Sequence, residues 1–162
     1  MAPRQGSRTV VIGLGNPVRA DDSVGLAVIR ELREQLTGTE GVELVELWAG
    51  GLRLVEAMVG FDRAVVVDAM CTGQVAPGTF RRLSLGDLGA TRTTTCSHDT
   101  SLPTALEMWK RMEAPVPEDL TIWGIEIQDT ETFSEGLSNP VARAVPRVAA
   151  AILAELHGSR GA

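Results

Sequence analysis

The residues that could do chemistry are few, and they fall at telling places. Asp21 and Asp22 are adjacent acids closing a glycine-bearing loop, Gly13-Leu14-Gly15-Asn16-Pro17-Val18-Arg19-Ala20-Asp21-Asp22. Asp68 ends the apolar run Ala64-Val65-Val66-Val67, where a carboxylate is costly to bury unless it is paired, hydrogen-bonded or bound to metal. His98 is one of 2 histidines, the other being His157 near the C-terminus. Two carboxylates and one imidazole suit a borderline divalent metal such as zinc or nickel, with positions left open for water or substrate. A carboxylate in such a site can also act as a general base. Each residue has an ordinary alternative. One acid of the pair could cap a helix while the other meets its dipole. Asp68 could accept loop amides, and a lone histidine near a helix start is often structural.

The elements that must position these groups alternate strand and helix, which predicts a single α/β domain. Thr9–Gly13 reads as a buried strand. A helix follows from Asp21 or Asp22 to about Leu36, with Val24, Val28, Ile29, Leu32 and Leu36 on one face. Val42–Trp48 alternates as a half-buried strand, and Gly50-Gly51 opens a short helix to about Val59. Ala64–Asp68 is the third strand. Pro77-Gly78 turns into a fourth, Thr79–Leu85, expected at an antiparallel edge. Ser97 is expected to cap a helix carrying Leu102, Ala105, Leu106, Trp109 and Met112. Leu120–Ile127 is the last strand, and Ser138-Asn139-Pro140 starts a closing helix expected to kink at Pro146. Ligands of open α/β sheets bind beyond the carboxyl ends of the strands. The acid loop, Asp68 and His98 all fall there, so elements distant in sequence bring two carboxylates and an imidazole to one side of the sheet.

Other chemistries fit less well. A dinucleotide fingerprint needs a third small residue where this loop has Val18, and the loop runs on to two acids where a phosphate would sit. No G-x-S-x-G elbow supports a serine hydrolase, and Ser97 beside His98 reads better as a cap. Cys71 and Cys96 are the 2 cysteines. A soft Cys–His metal site or one disulfide is conceivable, but reduced cysteines as small apolar fillers are the simpler reading. Trp48, Trp109 and Trp123 follow apolar faces and are expected in the core.

The chain has 162 residues, and its 44% hydrophobic and 22% charged content is that of a folded globular protein rather than a disordered one. With a net charge of −6, no strong positive field draws in nucleic acid or anionic lipid. No apolar run is long enough for a bilayer, and the polar N-terminus lacks a secretory signal. Cytoplasmic localisation is therefore expected. One domain over residues 1–162 is expected, with flexible ends at 1–7 and 158–162.

Taken together, the motifs resemble the NiFe-hydrogenase maturation proteases, over essentially the whole chain and in order. The resemblance rests on Val10-Val11-Ile12-Gly13-Leu14-Gly15-Asn16 with Asp21-Asp22 and Gly25, on Val65-Val66-Val67-Asp68-Ala69, and on Thr95-Cys96-Ser97-His98 with Leu102. Ile122-Trp123-Gly124-Ile125-Glu126 and the proline-interrupted last helix complete it. It implies a mixed, mostly parallel five-stranded sheet with helices on both faces. It also implies an endopeptidase that removes a C-terminal extension from the nickel-loaded large-subunit precursor. Asp22, Asp68 and His98 take the positions of the family's metal-binding and catalytic residues, with nickel supplied by the precursor and another divalent metal possible in vitro. The implied partner is that precursor, and the enzyme is expected to be a monomer without nucleic acid or membrane. Ser23 stands where a glycine often follows the acid pair. Gly50-Gly51-Leu52-Arg53 lacks the usual threonine, and Gly124-Ile125-Glu126-Ile127-Gln128 lacks the family proline. A noncatalytic nickel-checking module, or a peptidase acting on another nickel enzyme, is the alternative.

Overall fold

A computed structural model describes residues 7–87, 101–128 and 135–158. The chain forms one α/β domain around a five-stranded sheet ordered β2-β1-β3-β5-β4. Strands β1 (Thr9–Leu14), β2 (Val42–Leu47), β3 (Arg63–Met70) and β5 (Asp119–Glu126) are parallel, and β4 (Phe80–Leu83) runs antiparallel along β5. The antiparallel edge matches the sequence expectation. Strand β3 continues two residues past Asp68, because Ala69 and Met70 still pair with Ile125 and Glu126.

Strand alternation splits the apolar residues between two cores. Val11, Val65, Val67, Ala69 and Ile125 meet helices α1 (Val24–Gln35) and α4 (Asn139–Gly158) on one face. Val10, Ile12, Ala64, Val66, Met70 and Ile122 meet α2 (Gly51–Met58) and α3 (Leu102–Arg111) on the other. With both faces covered, β1 and β3 are buried throughout, as continuous apolar runs in parallel sheets require. Helix α4 runs from Asn139 to Gly158 with Pro146 inside it. Near the amino end of the sheet, its Glu155 accepts hydrogen bonds from Arg63 and, at 3.1 Å, from the Trp123 indole, and pairs with Arg82 at 2.9 Å. These contacts fasten α4 across β3, β4 and β5.

Two expected helix starts are corrected. Asp21 and Asp22 do not cap α1; they lie in a 3-10 turn, Ala20–Ser23, and the residue preceding α1 is Ser23. Helix α3 is preceded by Ser101, because Pro103 takes a first-turn position where its missing N–H costs little. Ser97 lies outside the described residues. The tryptophans also separate. Trp109 and Trp123 pack partly buried against the two cores, whereas Trp48 is 67% exposed. Strand β2 is a sheet edge, and Trp48 follows the last paired residue, Leu47, so no neighbouring strand covers it.

Candidate active site

The glycines of the first loop bring the acids onto the sheet. A Cβ on Gly13 would collide with the Gly25 carbonyl and the Ile29 side chain. One on Gly25 would meet the carbonyl oxygens of Leu14 and Val67, and one on Gly15 the carbonyl oxygen of Asp22. Removing three side chains lets the start of α1 lie directly on the carboxyl ends of β1 and β3. The loop itself is shaped by Asn16, whose side-chain oxygen accepts from Val18 N at 3.1 Å and whose carbonyl accepts from Arg19 N at 3.2 Å. The Ser23 hydroxyl donates back to the Ala20 carbonyl at 2.7 Å, closing the 3-10 turn.

The two neighbouring acids have different surroundings. Asp21 is fully buried and accepts hydrogen bonds from Gln128 N at 3.1 Å and from Ser138 N and Oγ at 2.6 and 2.9 Å. Its carboxylate ties the first loop to the end of β5 and the start of α4, a structural role that helix-capping logic missed. Asp22 is 2% exposed, in a turn that packs against β3. Asp68 lies in β3 and is 5% exposed, and one of its carboxylate oxygens accepts from Ala69 N at 2.8 Å. Two desolvated carboxylates thus stand at the carboxyl end of the sheet, on segments that touch. Such groups can hold a divalent cation or take a proton from a reacting water.

His98 and Cys96 lie outside the described residues, so the structure does not place the imidazole relative to Asp22 and Asp68. Among the described residues no cluster of three or more His, Cys, Asp or Glu side chains is present. Cys71 is a free thiol packed against the α1–α4 core, as a small apolar filler would be. His157 lies exposed in the last turn of α4.

A further buried acid went unassigned from sequence. Glu126 is 2% exposed and accepts from Thr72 N, Thr72 Oγ1 and Gly73 N, each at 2.8 Å. Backbone bonds from Gly78 N to the Glu126 carbonyl and from Glu126 N to the Thr79 carbonyl, both 2.8 Å, hold the other side of the same connection. The only sequence signal was one acid closing an otherwise apolar strand. Its place beside the candidate acids is explained by shaping the β3–β4 loop.

With the acids placed, similarity to known proteins identifies the chain's relatives. The sequence model of the hydrogenase maturation protease family, HycI, matches residues 26–155. The chain belongs to the hydrogenase maturation protease family. The matched span holds Asp68 and residue 98 and begins just after Asp22. The Escherichia coli hydrogenase 2 maturation protease is 26% identical over 94% of this chain and 92% of its own length. The HoxM hydrogenase expression/formation protein of Azotobacter vinelandii is 29% identical over 90% of this chain and 72% of its own. In structure, the E. coli maturating endopeptidase HybD superposes with a TM-score of 0.77 at 23% identity, covering 94% and 93% of the two chains. HybD of Thermococcus kodakarensis gives 0.67 at 24% identity, covering 92% and 98%. These superpositions confirm the fold, a mixed five-stranded sheet with helices on both faces. Membership makes the chain a protease of hydrogenase maturation that acts on a large-subunit precursor. No helix among the described residues is long and apolar enough to cross a membrane.

Proposed function

We propose that this maturation protease removes a C-terminal extension from the nickel-loaded large-subunit precursor of a NiFe-hydrogenase, using Asp22, Asp68 and His98. The observation that carries the reading is the burial of Asp22, in the turn before α1, and Asp68, in the β3 strand that this turn touches, in a member of this family. Nickel belongs to the substrate in this scheme. Carboxylate oxygens and an imidazole nitrogen are suitable donors for it, and holding it brings the scissile peptide against the same residues. One of the two carboxylates then accepts a proton from water as the water oxygen bonds to the scissile carbonyl carbon. The C–N bond breaks, and the leaving nitrogen takes up the proton. The enzyme acts in the cytoplasm as a monomer, and another divalent metal can occupy the donor set in vitro.

Intact-mass spectrometry of the cognate precursor tests this, with nickel-loaded and nickel-free precursor and with wild type or His98→Ala. Loss of one defined C-terminal peptide, requiring both nickel and His98, is the expected result. An unchanged precursor mass despite stable complex formation would replace the protease by a nickel-checking module.

A further inference from the structure

Among the described residues, exposed large apolar side chains occur on connections at the carboxyl end of the sheet, after β4, and in and just after α3. Val18, Trp48 and Leu52 are 51%, 67% and 41% exposed and lie on two connections at the carboxyl end of the sheet. Val18 belongs to the loop that leads to Asp22. Trp48 follows β2, and Leu52 lies in the first turn of α2. The two connections are joined: Leu14 pairs with Leu47, and Gly15 N donates to the Leu47 carbonyl at 3.2 Å. Trp48 therefore emerges beside the loop whose next turn carries Asp22. By contrast, exposed Met112 follows the end of α3, the helix that returns toward the amino end of the sheet.

Resting on the proteolytic reading above, we infer that Val18, Trp48 and Leu52 form the docking surface for an apolar segment of the large-subunit precursor next to its scissile bond. The substrate is a protein, so its cleaved segment must cross the rim that holds Asp22, and Val18 and Trp48 lie on the two joined connections of that rim. Indole side chains are enriched among residues that dominate binding at protein interfaces. Three partly exposed side chains offer at most a few hundred Å², well below the roughly 1,200 Å² total of a stable interface. That size suits an enzyme that must release its product and argues against a second copy of this chain as the occupant.

Binding and turnover of nickel-loaded precursor are to be measured for wild type, Trp48→Ala, Trp48→Phe and Met112→Ala, with thermal unfolding to verify folding. Trp48→Ala raises Kd and KM by about tenfold or more while kcat stays within about twofold; Trp48→Phe recovers part of the loss, and Met112→Ala behaves as wild type. Equal Kd and KM for folded Trp48→Ala and wild type would overturn the inference. So would failure of wild type to bind precursor, or a Trp48-dependent dimer in sedimentation of the chain alone. Should wild type bind without cutting, the proteolytic reading falls, and the docking surface still stands or falls on the Kd values.

Discussion

Ser138 donates both its backbone N–H and its hydroxyl to the carboxylate of Asp21, at 2.6 and 2.9 Å, across 117 positions of sequence. The contact locks the candidate catalytic loop to the start of the last helix. It also gives one of two adjacent acids an architectural role, which leaves Asp22 as the candidate for the proposed chemistry.

That division predicts opposite phenotypes. Asp21→Ala removes the carboxylate that accepts from the part-buried Gln128 and Ser138 donors, so unfolding stability falls by about 1–3 kcal/mol. Urea denaturation measures it, with Ser138→Ala expected to cost less because the backbone donor remains.

Asp22→Asn and Asp68→Asn preserve shape while removing the charge and the basic oxygen. Each lowers cleavage of nickel-loaded precursor by about a hundredfold or more while the folded structure persists. Single-turnover mass spectrometry beside circular dichroism checks both halves, and full activity in either variant would remove that residue from the mechanism.

Gly25→Ala drives a methyl group into the Leu14 and Val67 carbonyl oxygens. Backbone cannot move aside as a flexible side chain can, so a loss of about 2–3 kcal/mol or more is expected. Activity should fall as well, since the same collision displaces the turn holding Asp22. Gly38→Ala is a useful comparison: its space is open, but its φ of 79° is left-handed, so its cost is conformational and local.

Glu46 supplies a pH-dependent test away from the site. Partial burial pushes its carboxyl up, but hydrogen bonds and charge from Arg30 and Arg33 together outweigh that and hold it below 4.5. A carboxyl lowered on folding contributes stability above its unfolded value, and that contribution disappears as pH falls through the folded value. The stability difference between wild type and Glu46→Gln is therefore constant near neutrality and shrinks below about pH 4.5. The pair is largely solvent-screened, so the difference is below about 1 kcal/mol and smaller still in high salt. Denaturation series at several pH values would reveal a difference of the wrong sign or slope.

Glu155→Ala leaves the buried Arg63 guanidinium without its carboxylate on α4 and removes the acceptor of the Trp123 indole. Arg63 keeps its ion pair with Asp119 at 3.0 Å, so the cost is about 1–3 kcal/mol, and chemical denaturation should show it without a change in the cleavage site.

Much of this protein was legible in its residues because local patterns report local requirements. The Val-rich runs of β1 and β3 announced strands buried on both faces, and the turn at Pro77-Gly78 announced an antiparallel edge. A carboxylate closing an apolar run singled out Asp68, and the spacing of the first glycine loop carried the family resemblance that its relatives confirm. Tertiary structure decided what depends on partners far along the chain. Asp21 and Asp22 are chemically identical neighbours, and only the arrival of Gln128 and Ser138 assigns one of them to architecture. Glu126 became a loop anchor only when Thr72 and Gly73 were brought to it. Trp48 looked like core because apolar alternation reports which side chains share a face, not whether anything covers that face. Its exposure follows from the place of β2 at the sheet edge, which only the pairing of strands determines.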